Sequence, residues 1–103
     1  MTKAIRFERA GSADVLVFQD IALKAPGEGE VRVRHTAIGV NFIDIYHRTG
    51  LYKLPLPSGL GLEAAGVVEG VGPGVTRFKE GDRIAYASGP IGAYSEAQNV
   101  IAN

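Results

Sequence analysis

The sequence predicts a mainly β domain, a partly open barrel or sandwich of about seven short strands with one or two short helices. Three observations lead there. The 14 glycines and 5 prolines among 103 residues cut the chain into short pieces. Alternation with a period of two residues recurs along it, whereas a single stretch carries the helical period. The length suits one domain with one modest core, residues 1–103.

From Lys3 to Glu8 the chain alternates, with Ile5 and Phe7 on one face and Ala4, Arg6 and Glu8 on the other, as in a half-buried strand. Gly11 and Ser12 end it. The apolar run Val15 to Phe18, continuing towards Ile21 and Leu23, reads as a strand or a pair of short strands. Pro26, Gly27 and Gly29 make a loop. Val31 and Val33, with His35, then alternate with Arg32, Arg34 and Thr36, giving one core face and one wet basic face. The arginines read as a solvated face and His35 as structural.

At Asn41 the period changes. Phe42, Ile45, Tyr46 and Thr49 fall at i, i+3, i+4 and i+7, so they share one helical face, expected to be the packed one. Asn41 can cap the first turn, Asp44 offsets the positive helix end, and Gly50 supplies the stop. So short a helix depends on its packed face for stability.

Leu51 to Ser58, with Pro55 and Pro57, reads as a surface loop. Gly61 to Val71 reads as a strand with Glu63, Ala65, Val67, Glu69 and Val71 on one face. Gly66 and Gly70 lie on the other, where another group can approach closely. Gly72, Pro73 and Gly74 turn the chain, Lys79 to Asp82 turns it again, Arg83 to Ala87 is a strand, and Ala93 to Ile101 is a last alternating piece.

Composition narrows the function. Eleven Lys plus Arg balance 11 Asp plus Glu, so no net field favours nucleic acid or anionic lipid. No cysteine is present, which removes disulfides, thiolate nucleophiles and cysteine-based zinc sites. No apolar run approaches a membrane span, and a cytoplasmic location is expected.

Several chemical patterns compete. Gly59, Gly61 and Ala64 match the letters of a dinucleotide fingerprint, but a proline loop precedes them and a Val/Gly strand follows, where the fingerprint needs a strand before and a helix after. His35, His47, Asp44 and Glu63 lack the spacing that pre-positions metal ligands. No serine sits on a strand-to-helix elbow. The remaining cluster is Asn41, Tyr46 and Tyr52 beside Glu63. An amide and two phenols on apolar frames suit orientation of a flat polar ligand, and the same residues also read as a helix cap with two packed aromatics.

The strings AIGVNFIDIYHRTGLY, LPSGLGLEAAGVVEGVGPGV and FKEGDRIAY resemble the N-terminal part of the zinc-free, NADPH-dependent quinone oxidoreductases of the medium-chain dehydrogenase/reductase superfamily. The resemblance covers essentially the whole chain in one register. It implies a GroES-like catalytic barrel that, in such enzymes, is paired with a Rossmann domain across a cleft holding the nicotinamide. Zinc members of the superfamily carry a cysteine at the place of Asn41 and a histidine at the place of Leu62, so the resemblance implies no zinc.

By the same resemblance, Asn41, Phe42, Asp44, Tyr46 and Tyr52 line the nicotinamide and quinone side of the cleft, with Glu63 at its floor. Tyr46 and Tyr52 are the candidate catalytic donors or stacking walls. The chain ends before any Rossmann unit and before the return segment of the catalytic domain. The expectation is therefore a catalytic-domain piece of an NADPH:quinone oxidoreductase, inactive alone, whose partners are a quinone and the absent Rossmann domain. Its open strand edges lead to an expected homodimer. A 2-alkenal or enoyl reductase of the same superfamily and a stand-alone GroES-like interaction module are the alternatives.

Overall fold

The structure, a computed structural model, describes residues 2–102. Its strands are β1 (Thr2–Phe7), β2 (Val17–Ile21), β3 (Glu30–Ile38), β4 (Ser58–Gly59), β5 (Ala64–Val71), β6 (Arg83–Tyr86) and β7 (Ala97–Ile101), with one helix, α1 (Phe42–Thr49). They form two antiparallel sheets, ordered β2-β1-β4 and β6-β5-β3-β7. The expected architecture, short strands in open sheets with one α-helix, is the one observed.

The sheets meet along β1. The Ile5 N–H donates to the Tyr94 carbonyl at 2.8 Å and the Glu96 N–H donates to the Lys3 carbonyl at 2.9 Å, so the segment leading into β7 also borders β1. The larger core is built from Val31, Val33, Val68 and Val100, with Phe78 and Ile84 packed against them. Each fully buried valine contributes about 1.5–3 kcal/mol relative to exposure. The smaller core joins Phe7, Val15 and Leu60, flanked by Leu54 and Tyr94.

The valine alternation of β3 is borne out, since Val31 and Val33 are buried and Arg32 and Arg34 reach outward. On β5 the buried face is that of Ala64, Gly66 and Val68. Gly66 is there because β3 runs close over it: a Cβ at this position would lie 2.0 Å from the Arg34 carbonyl oxygen.

Several expectations for the strands need correction. In β1 the buried residues are Ala4 and Phe7, while Ile5 is half-buried along a groove. Val15 belongs to a 3₁₀ turn, Ala13–Val15, and Phe18 in β2 is exposed, so only the second half of that apolar run is a strand. Ser58 leaves the proline loop to pair with Phe7, and the strand expected from Gly61 starts at Ala64. Residues Ala93 to Glu96 are irregular, their backbone being committed to β1 and to the Leu60–Gly61 segment rather than to a regular ladder.

The helix spans what its caps specify. Asp44 Oδ2 accepts from the Asn41 N–H at 3.0 Å, and Gly50 ends the helix in the left-handed region at φ 88°. Its orientation reverses the expected one. Asp44 is the buried helix residue, 2% exposed, whereas Phe42 is 79% exposed and Ile45, Tyr46 and Thr49 face outward with it. The apolar stripe is not the packing face. Polar contacts hold the inner side instead, including a bond from Arg48 Nε to the Gly11 carbonyl.

Candidate functional site

The site forms where β3 ends and β5 begins. The pairing of Ile38 with Ala64 brings the chain leaving one strand beside the chain entering the other, and the Gly39 N–H donates to the Glu63 carbonyl at 3.0 Å. Asn41 and Glu63, 22 residues apart, therefore become neighbours. Asn41 Nδ2 lies 3.5 Å from Glu63 Oε1, at the limit of a hydrogen bond. The Glu63 side chain lies across Gly39, where a Cβ would fall 1.8 Å from its Oε1.

Beyond the helix stop the chain folds back. The Tyr52 N–H donates to the Tyr46 carbonyl at 3.2 Å, and the two rings meet edge to face with centroids 5.6 Å apart at 87°. Such a contact contributes about 0.5–1.5 kcal/mol. Both rings remain open to solvent, Tyr46 at 39% and Tyr52 at 53% exposure. They make a preformed aromatic corner.

Two recesses lie beside Asn41 and Glu63. One, about 330 Å³, is lined by Val40, Asn41, Phe42 and Ile45. The other, about 540 Å³, runs between Ile38, Gly39, Glu63, Ala65 and Tyr86. Of the six residues singled out from the sequence, Asn41, Phe42 and Glu63 line these recesses, and Tyr46 and Tyr52 are exposed but line neither. Asp44 is buried. Its carboxylate turns inward, accepting from the Asn41 N–H and from the Tyr94 hydroxyl at 2.7 Å, so it builds the site from behind and has no surface for a cofactor.

Sequence reasoning missed Tyr86 and Tyr94, and it read His35 as structural. His35 Nδ1–H donates to the Ser95 carbonyl at 2.8 Å, and its Nε2 lies 2.8 Å from the Tyr86 hydroxyl, which also reaches Gln98 Oε1 at 2.8 Å. Burial pushes the Tyr86 phenol up to about 12. Burial also holds His35 below its ordinary value, against the opposing pull of the Ser95 carbonyl. His35 lies 51 residues from Tyr86 and 60 from Ser95, and no local pattern pairs them.

Among the described residues no three His, Cys, Asp or Glu side chains gather in a way that could hold a metal ion. Nor does Gly59–Ala64 open a helix, as a dinucleotide fingerprint would: it runs from β4 into β5. The glycines serve packing there. A Cβ on Gly61, whose φ is +98°, would meet the Tyr94 ring at 2.5 Å.

Comparison with known proteins shows what the chain as a whole is similar to. The alcohol dehydrogenase GroES-like domain model matches residues 27–101. A quinone oxidoreductase of Pseudomonas aeruginosa is 61% identical over 97 residues, covering 93% of this chain and 30% of that protein. The crystal structure of Escherichia coli quinone oxidoreductase complexed with NADPH superposes with a TM-score of 0.95 at 50% identity, over 97% of this chain and 31% of that one. A 2-haloacrylate reductase of Burkholderia is 46% identical over 93% of this chain and 30% of its own length. The chain thus spans about a third of the length of the relatives it matches. With a barrel of this topology, and with the family match running through β3, α1 and β5 where the site is built, the chain belongs to the alcohol dehydrogenase GroES-like domain family.

Proposed function

We propose that this chain is a single catalytic domain that supplies the acceptor-side wall of an NADPH-dependent quinone reductase. The observation that carries the reading is the solvent-open aromatic corner of Tyr46 and Tyr52 built on α1, the helix that Asn41 caps, with the Asn41 amide meeting Glu63. The 61% identity to a quinone oxidoreductase supports it. A second domain that binds the nucleotide provides the opposite wall.

The residues present suit a flat, polar heteroaromatic group. Exposed ring faces offer stacking surface, and the Asn41 amide offers a donor and an acceptor to a carboxamide. NADPH, when bound, supplies the hydride. The chain's own residues orient the acceptor and meet the charge that grows on its carbonyl oxygen. A phenol O–H from Tyr46 or Tyr52 donates to that oxygen, an interaction that strengthens as the charge develops. Glu63 holds the Asn41 amide in place, and Phe42 and Ile45 exclude water from that side.

The resemblance implies that Asn41 and Leu62 take the places of metal ligands in the zinc enzymes of the superfamily, so polarisation of the acceptor falls to these hydrogen bonds. An electron-poor quinone suits that arrangement. The 46% identity to a 2-haloacrylate reductase supports an activated alkene as the second candidate acceptor. Steady-state NADPH oxidation by the complete enzyme containing this chain, with a benzoquinone and an enone side by side, tests the reading. Faster turnover of the quinone is expected; exclusive turnover of the enone would replace it. The 103-residue chain by itself is expected to be inactive, and quinone-dependent NADPH oxidation above a protein-free control would refute that part.

A further inference from the structure

We infer that Tyr94 is a positioning residue for the candidate site, acting through the buried Asp44 carboxylate to fix Asn41 and the start of α1; the inference rests on the proposed function for its catalytic consequence. The Tyr94 hydroxyl donates to Asp44 Oδ2 at 2.7 Å, and the same oxygen accepts from the Asn41 N–H at 3.0 Å. One carboxylate oxygen thereby joins a residue of the barrel to the first residue of the site. Asn41 in turn aims its amide at Glu63.

Tyr94 is itself held from three sides. Its N–H donates to the Leu60 carbonyl at 2.9 Å, its carbonyl accepts from the Ile5 N–H at 2.8 Å, and its ring lies against Gly61 where a side chain would collide. This accounts for Leu60 and Gly61 in the run that resembles a nucleotide fingerprint. The glycine at 61 makes room for the tyrosine, and Leu60 pins its backbone.

The helix needs such an anchor. Its apolar stripe faces outward, so packing does not fix its rotation. At its far end the Gly11 N–H donates to the Arg48 carbonyl at 3.0 Å, and Arg48 Nε returns a bond to the Gly11 carbonyl. At its near end, Tyr94 and Asp44 make the corresponding tie. Burial, with the Asp44 bond, holds the Tyr94 phenol well above the ordinary tyrosine range, so it remains a donor wherever the protein works.

The test has two arms. In the 103-residue chain, amide hydrogen exchange is followed by NMR for Tyr94→Phe, which keeps the ring and removes the hydroxyl. Exchange at Asn41 should quicken about tenfold, the loss of one hydrogen bond, with Val33 and Val68 unchanged. Exchange at Asn41 within a factor of about two of the parent would overturn the inference. Should the variant not fold, the parent chain decides: a slowly exchanging Tyr94 hydroxyl proton with an isotope shift at Asp44 Cγ is expected, and a freely exchanging one refutes it.

In the complete enzyme, Tyr94→Phe and Asp44→Asn should each lower kcat about tenfold with little change in KM, and the double variant should lose no more than either. Losses that multiply would refute the route through Asp44. If Asn41 exchange quickens but no form of the enzyme reduces quinones, the anchor stands and the proposed acceptor falls.

Discussion

Two glycine-to-alanine changes, one residue type in two surroundings, separate what holds the fold from what shapes the site. At Gly66 the new methyl would sit 2.0 Å from the Arg34 carbonyl oxygen and 3.0 Å from His35 Cα, all of it backbone of the neighbouring strand. Ordinary contact needs about 3.5 Å, so β3 and β5 must part by more than about 1 Å along a ladder that carries the larger core. The expected cost is about 3 kcal/mol, the upper end of overpacking penalties. That corresponds to a fall of roughly 10–20 °C in Tm for a domain of this size.

At Gly39 the methyl would meet Glu63 Oε1 at 1.8 Å and Cδ at 2.7 Å, the end of a flexible, exposed side chain that can swing aside. Stability should stay within about 1 kcal/mol of the parent, because the loss of unfolded-state freedom offsets the rotamer shift. Asn41 should lose its partner, seen as a shift of its side-chain amide resonances. Thermal denaturation followed by circular dichroism, with NMR of that amide, decides both. If Gly66→Ala melts within about 4 °C of the parent, or if Gly39→Ala falls as far as Gly66→Ala, the reasoning fails.

Further outcomes follow from the same structure. Phe7→Ala, emptying the centre of the smaller core, should cost about 3–5 kcal/mol by chemical denaturation; a loss below about 1 kcal/mol would mean that this cluster is not a core. Burial holds His35 below its ordinary value of 6.5, so between the folded and unfolded values the unfolded chain binds more protons. Stability should therefore be full above pH 6.5 and decline as pH falls below it, and His35→Gln should flatten that slope; a parent and variant with the same Tm profile would contradict this. The free edges of β2, β6 and β7 invite pairing, so sedimentation should show a concentration-dependent dimer, and a monodisperse monomer at high concentration would count against it.

What could be read from the sequence was local. Asn41, Asp44 and Gly50 mark the ends of α1 because caps act within one turn, and Val31 and Val33 mark β3 because alternation is set by the pleat. The rotation of α1 was not readable. Its stripe of Phe42, Ile45, Tyr46 and Thr49 records that one face is apolar, but not whether that face meets the domain's own core or something outside it. Asp44 shows the same limit, since an acidic residue in the first turn looks like a solvated cap until Tyr94, 50 residues on, covers it. Gly61 is legible as a small residue, yet its reason lies in the Tyr94 ring. The two-residue β4 carries no period at all.

The account turns on the aromatic corner being the surface that meets the acceptor, and Tyr52→Ala in the complete enzyme tests it most directly. Tyr52 is 53% exposed, so its loss should leave Tm within a few degrees, about the effect of a surface change. Quinone-dependent kcat/KM should fall about tenfold or more. Unchanged kcat/KM in a folded variant would contradict the account.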